Sequence, residues 1–244
     1  MSRAQILAIE VDQVTMAEAV DCCLGWIDGD TPRLVVTPNA EIAYRATHES
    51  DVAAIINSAD LVIPDGAGIV MASKLLGHPV PERVAGTDLS TNLLAALSNQ
   101  GRGRVYLLGA RPEVVAEAVR RIQQRFPGVT VAGYHDGFFT PEEEPALIRE
   151  IREAQVDVLF AGMGVPRQEK WLARHLTELN AKVSLGIGGT IDVWAGAVPR
   201  APQWMQRTNL EWLFRIVKFG RFSRSVPPLV KFTLAVFARK VRGR

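Results

Sequence analysis

Short apolar runs rich in β-branched residues recur along this 244-residue chain, and the gaps between them carry apolar residues three and four apart. This alternation is the strongest restriction on the fold. A strand, a covering helix and another strand repeated in sequence build an α/β architecture with a mostly parallel sheet flanked by helices. The expected strands are Ile6 to Ile9, Leu34 to Thr37, Leu61 to Ile63, Val105 to Leu108, Val129 to Ala132, Val156 to Ala161 and Val183 to Ile187. The expected helices are Met16 to Trp26, Glu41 to Ala46, Val52 to Ser58, Ile69 to Leu76, Leu89 to Ser98, Glu113 to Phe126, Pro145 to Ala154 and Gln168 to Leu179.

Boundary residues agree with this pattern. Gly109-Ala110-Arg111-Pro112 puts a proline at a first helical position, and Thr140-Pro141-Glu142-Glu143 puts a cap and acids in a first turn. With 48% hydrophobic residues the chain can bury a large core. The adjacent Cys22 and Cys23 read as small core residues of a reducing compartment, since neighbours form neither an ordinary bridge nor a Cys-x-x-Cys site. The first apolar run is too short for a secretory signal. Ser225 to Ala238, broken by Lys231, is also shorter than the roughly 20 residues a helix needs to cross a bilayer.

A formal net charge of +2 conceals an asymmetry. From Arg207 onward ten Lys and Arg accompany a single acid, Glu211, giving +9, while the rest of the chain carries −7. Composition shifts near Pro199 to Pro202, which sets a body of residues 1–200 apart from a basic helical C-terminal appendage of residues 201–244. Two helices are expected there, Trp204 to Phe219 and Pro228 to Lys240, separated by Gly220 and Pro227-Pro228. Their broad apolarity implies burial against the body, a partner or a bilayer surface, and their charge suits lipid headgroups or a phosphorylated substrate.

Polar residues gather where the strands end, which in an open parallel sheet is the ligand crevice. Ile63-Pro64-Asp65-Gly66-Ala67-Gly68 delivers Asp65 into a glycine-bent turn, as a base aimed at a substrate or as a local cap. Thr37-Pro38-Asn39 ends the preceding strand; Thr37 and Asn39 point into the crevice, or Asn39 caps the next helix. Arg83, ahead of Gly86-Thr87-Asp88, reaches a diphosphate or joins a surface ion pair. In Gly162-Met163-Gly164-Val165-Pro166-Arg167-Gln168, Gly164 permits close approach and Gln168 suits a phosphate or ribose. Gly188-Gly189-Thr190-Ile191-Asp192 is a second glycine-rich exit, where Asp192 accepts from a ribose or base, or where a tight turn meets a helix cap. Tyr134 ends another strand, as a stacking platform for a base or as part of an exposed turn.

Other chemistries lack their residues. Gly66-Ala67-Gly68 has Met71 where a dinucleotide fingerprint needs its third glycine. The four histidines show no ligand spacing, and Asp28-Gly29-Asp30 precedes its strand, away from the crevice. No Gly-x-Ser-x-Gly elbow or Walker lysine loop is present.

In order, Thr37-Pro38-Asn39, Pro64-Asp65-Gly66, Arg83 before Gly86-Thr87-Asp88, Gly162-Met163-Gly164-x-Pro-x-Gln168-Glu169 and Gly188-Gly189-Thr190-x-Asp192 resemble the WecG/TagA/CpsF family of bacterial glycosyltransferases. The resemblance spans about Ala8 to Phe222. It implies a Rossmann-like fold and inverting, metal-independent transfer of a sugar from a UDP donor to a polyprenyl-diphosphate-linked acceptor. The implied donor sugar is N-acetylmannosamine, its uronic acid or a hexose such as glucose. Carried over by position, Asp65 matches the catalytic base, Thr37 and Asn39 its polar neighbours, Arg83 and Gln168 further pocket residues, and Asp192 the nucleotide segment. The family's basic appendage implies membrane attachment and an active-site cover, with Arg215, Arg221 and Arg224 positioned to meet the diphosphate.

The expectation is therefore a transferase on the inner face of the cytoplasmic membrane, with no cofactor and no nucleic-acid partner, in which homo-oligomerisation stays open. Two rivals remain at this level. One is a Rossmann-type oxidoreductase acting on nucleotide sugars, and the other a non-catalytic sugar-nucleotide-binding subunit at the membrane.

Overall fold

The computed structural model describes residues 2–208, 210–219 and 222–242, with the backbone alone for 207, 215, 216, 219 and 222–225. In chain order the elements begin with β1 (Arg3–Ile6), β2 (Ile9–Asp12), α1 (Met16–Ile27), β3 (Arg33–Val36), α2 (Ala40–Arg45), α3 (Ser50–Ser58), β4 (Leu61–Val62) and α4 (Ala67–Leu76). Next come α5 (Gly86–Asn99), β5 (Arg104–Gly109), α6 (Pro112–Arg125), β6 (Thr130–His135), α7 (Glu144–Glu153), β7 (Val158–Gly162) and α8 (Arg167–Leu179). β8 (Val183–Gly186), α9 (Thr190–Trp194), α10 (Gln203–Arg207), α11 (Glu211–Phe219) and α12 (Phe222–Arg242) complete the chain. Contacts divide it into two compact units, one of Met1–Met16, Thr37–Ala85 and Pro199–Arg244, the other of Ala17–Val36 and Gly86–Val198.

The second unit holds the sheet β3-β8-β7-β5-β6, in which every pairing is parallel. This is the parallel sheet that the alternation implies, in the Rossmann-like form that the resemblance implies. Because parallel strands run one way, their carboxyl ends share one edge, and that edge carries Gly109, His135, Gly162 and Gly186. β7 and β8 are covered on both faces, which explains the continuous apolar run of β7; β8 buries Ser184 between Val183 and Leu185. Phe160 is fully buried and meets Trp194 edge to face, with ring centroids 5.3 Å apart. Burying such a ring stabilises by about 2–3 kcal/mol.

In the first unit, β1 and β2 form an antiparallel hairpin in which Ile6 faces Ile9. The run Ile6 to Ile9, expected as one strand, is thus the hairpin's turn. No glycine, proline or asparagine signals it; Leu7 takes a φ of +56° instead, at a cost of roughly 1–2 kcal/mol. Burial of Ala4, Ile6, Ile9 and Val11 fixes which face of the hairpin turns inward. Asp12, almost fully buried, accepts from Arg3 Nε at 3.1 Å and from the Val62 amide at 2.7 Å, tying the hairpin to β4.

Two helix boundaries also differ from the sequence pattern. α7 starts at Glu144, since the Glu143 and Glu144 amides close a turn on the Thr140 carbonyl while Glu143 Oε2 accepts from the Thr140 amide. α12 runs through Pro227 and Pro228, which were expected to separate helices. A proline's φ is already helical, but Pro227 and Pro228 are the sixth and seventh residues of α12, past its first turn, so their missing amides remove intrahelical hydrogen bonds that packing must offset. Burial of Phe232 and Val236 then holds the helix where α12 packs on α2 and α4.

Candidate active site

The first unit assembles its polar cluster around the turn after β4. Ile63 and Pro64 are buried, and the Asp65 amide donates to the Ile63 carbonyl at 2.9 Å, so the chain bends sharply and leaves Asp65 half-buried. Gly66 takes a φ of +85°, a conformation that favours glycine, and α4 begins immediately after it. The Pro64 carbonyl accepts from the Val84 amide at 3.1 Å, which pins the loop carrying Arg83 beside the same turn. Thr37 is half-buried after β3. Asn39 Oδ1 accepts from the amides of Glu41 at 2.9 Å and Ile42 at 3.2 Å, so it caps α2 while its side chain also lines the cavity described next.

That cavity has a volume of about 370 Å³. Asn39, Gly66 and Gly68 line it, together with Trp212 of α11 and Pro228, Leu229 and Thr233 of α12. Close approach needs a glycine here, because a Cβ on Gly68 would lie 3.0 Å from Ala40 Cβ and 3.5 Å from Phe232. A second cavity, of about 420 Å³, shares Glu41 and Pro228 with the first and adds Tyr44, Arg45, His48 and Lys231.

Arg83 is mostly buried, and its Nη1 lies 3.6 Å from Glu211 Oε2 on α11. Arg200 Nη2 approaches the same oxygen at 3.6 Å. Two guanidinium groups thus approach one carboxylate, and guanidinium is the group best shaped to recognise a phosphate or carboxylate. Of the three appendage arginines expected to serve a diphosphate, Arg221 lies outside the described residues, as do the side chains of Arg215 and Arg224.

The second unit brings together the glycine-rich exits of β7 and β8. Gly164, exposed with a φ of +82°, leads into α8. Gln168 is buried, its Oε1 accepts from the Gly188 amide at 3.1 Å, and its Nε2 donates to Glu169 Oε1 at 2.7 Å. Gly189 is exposed, and Asp192 in the first turn of α9 folds back toward it, Oδ2 lying 3.8 Å from where a Gly189 Cβ would stand. Thr190 Oγ1 donates to the Ile187 carbonyl and meets Thr87 Oγ1 at 2.9 Å, joining this turn to the start of α5. Tyr134, 47% exposed on β6, stands near a loop that Arg167 secures by donating to the Gly137 carbonyl and covering the Phe139 ring.

Sequence reasoning did not single out Glu169, Glu211 or Arg200 as site residues. Glu169 is buried, one of its oxygens has no hydrogen-bond partner, and burial pushes its carboxyl up to about 7. The local signal was a carboxylate at a helical position otherwise occupied by apolar residues. Glu211 and Arg200 gave no signal beyond Glu211 being the appendage's single acid. Among the described residues, no three His, Cys, Asp or Glu side chains gather in a group that could hold a metal ion, and no helix is long and apolar enough to cross a membrane.

The model of the glycosyl transferase WecG/TagA/CpsF family matches residues 4–244. Three relatives carry the name N-acetylglucosaminyldiphosphoundecaprenol N-acetyl-beta-D-mannosaminyltransferase. That of Bacillus spizizenii is 36% identical over 211 residues, covering 86% of this chain and 81% of its own. That of Bacillus subtilis is 35% identical over 192 residues, 79% of this chain and 74% of its own. That of Staphylococcus aureus strain NCTC 8325 is 32% identical over 245 aligned positions, 99% of this chain and 95% of its own.

Proposed function

This chain belongs to the glycosyl transferase WecG/TagA/CpsF family, and on that premise we propose that it moves N-acetylmannosamine from a UDP donor to N-acetylglucosamine carried on a polyprenyl diphosphate. The relatives' printed name supplies the transferred sugar and the acceptor. The observation that carries the reading is the half-buried Asp65, the chain neighbour of Gly66, which lines a cavity together with Trp212 and Leu229.

In this mechanism Asp65 takes the proton of the acceptor hydroxyl as that oxygen attacks the anomeric carbon from the face opposite UDP. The new glycosidic bond forms, the bond to the diphosphate breaks, and the configuration inverts. The departing UDP gains negative charge, so preorganised cations and amides must meet it. Arg83 serves here, with Arg215, Arg221 and Arg224 drawn from the appendage. Thr37 and Asn39 orient the sugar next to the base. Gly164, Gly189, Asp192 and Tyr134 bind the nucleotide.

No cofactor is assigned, and transfer proceeds without a metal. Attachment is peripheral, to the anionic inner face of the cytoplasmic membrane. It is supported by the exposed stripe Val230, Leu234, Phe237 and Val241 on α12, flanked by the exposed Lys231, Arg239 and Arg242.

The test is UDP release from a panel of UDP-sugars, with and without a polyprenyl-diphosphate N-acetylglucosamine acceptor, in buffer with EDTA. Acceptor-dependent release from UDP-N-acetylmannosamine is expected, with EDTA present or absent. Release from another sugar replaces the donor assignment, loss of release in EDTA overturns the metal-independent step, and UDP binding without release favours a non-catalytic subunit.

A further inference from the structure

A buried carboxyl of the second unit has no task in the mechanism above. Glu169 lies in the first turn of α8 and is almost inaccessible. A backbone N–H can only donate, so the Gly188 amide selects the oxygen of the Gln168 side chain. The Gln168 nitrogen must then face the other way and needs an acceptor, which Glu169 Oε1 provides at 2.7 Å. The pair lies against the end of β8, where no side chain stands. A Cβ on Gly186 would sit 2.9 Å from Gln168 Nε2 and 3.4 Å from Glu169 Oε1.

Gln168 holds the Gly188 amide, while the Gly188 carbonyl stands close to Gly162, where a Cβ would lie 2.6 Å from it. Gly188 has a φ of +53°, and a Cβ built on it would meet no atom within 4 Å. Its neighbours are anchored separately, Ile187 through its amide to the Ala161 carbonyl at 2.8 Å and Thr190 through its amide to the Ile187 carbonyl at 3.2 Å. Beyond them lie Gly189 and Asp192, the residues assigned to the nucleotide.

We infer that Glu169 is a positioning residue of the donor site: its carboxyl sets the orientation of the Gln168 amide, and Gln168 in turn holds Gly188 so that Gly189 and Asp192 present a fixed turn to the nucleotide diphosphate or ribose. Glu169 acts from behind the turn and touches no substrate. Its second oxygen, buried and without a partner, is tolerated because the first performs this task. The consequence for turnover rests on the transferase reading, whereas the hydrogen bond to Gly188 does not.

Glu169→Gln keeps an acceptor toward Gln168, and Glu169→Met removes it at similar volume. Gly186→Ala is an independent perturbation that displaces the amide pair. The Gly188 amide is expected to exchange with solvent about tenfold or more faster in Glu169→Met and Gly186→Ala than in wild type, measured by NMR on folded protein, and to stay within about threefold in Glu169→Gln. KM for the UDP-sugar is expected to rise about tenfold in the same two variants, with kcat changed by less than about threefold. Wild-type exchange at Gly188 in Glu169→Met, or a Glu169→Gln protein as impaired as Glu169→Met, overturns the inference. Faster exchange with an unchanged KM overturns its bearing on the donor. If the wild-type protein transfers no sugar, the transferase reading fails, and the exchange data still decide whether Glu169 holds the turn.

Discussion

Arg83 and Glu211 face each other across 3.6 Å, although one lies in the loop after α4 and the other opens α11 in the appendage. Arg200 shares the same carboxylate oxygen at 3.6 Å. Removing the carboxylate leaves two largely desolvated guanidinium groups without their common counter-charge. Glu211→Gln is expected to lower unfolding stability by about 1–3 kcal/mol in urea titrations. Unchanged stability would show that this contact contributes little.

Asp65 is the second target. A general base typically contributes about 10² to 10⁴ in rate. Asp65→Asn should therefore lose turnover by about that factor while calorimetry still detects UDP binding. Wild-type turnover in this variant removes Asp65 from the mechanism.

The titration of Glu169 gives a stability signature with a definite sign. Its carboxyl is raised from 4.5 to about 7 by burial, so the folded chain holds the proton more tightly than the unfolded chain. The added stability is fully present below pH 4.5 and is lost as pH rises to about 7, a change of about 3 kcal/mol. Glu169→Gln, which cannot ionise, should flatten that part of the stability profile. An identical pH dependence in the two proteins contradicts the assignment.

Seating of α12 can be tested at Phe232, which is fully buried and lies close to Gly68. Phe232→Ala is expected to cost about 3–5 kcal/mol and to loosen the wall of the 370 Å³ cavity. Protease cleavage within α12 should accelerate, and transfer should fall with it. A variant as resistant and as active as wild type rules out a role for this packing.

Deletion of the residues after Gln206 should reduce both recovery on anionic vesicles and transfer. A fully active truncation that no longer binds vesicles would separate attachment from catalysis.

The parts of the fold that were legible depend on short-range rules. Runs such as Val183 to Ile187 and the helix start at Pro112 appear within a residue or two of their expected places. The hairpin at Leu7 was not legible, because its turn uses none of the residues that ease a left-handed conformation. The continuity of α12 across Pro227 and Pro228 was hidden for a related reason, since a proline pair ordinarily breaks a helix unless tertiary packing holds it. At the site, the turns at Asp65, Gly164 and Gly189 were visible as glycine-rich strand exits. The cap made by Asn39, one of two readings open for that residue, is the one its oxygen adopts.

By itself the sequence determined the alternation of strand and helix, the parallel sheet and its glycine exits, and a basic, apolar-faced end. These depend on residues within a turn of one another and on the period of their side chains. Tertiary structure alone decided that Gln168 is held between Glu169 and Gly188, that Arg83 meets Glu211, and that α12 and Gly66 line one cavity. Hydrogen bonds and buried charges depend on which groups meet in space, and spacing along the chain does not encode those meetings until the core has folded.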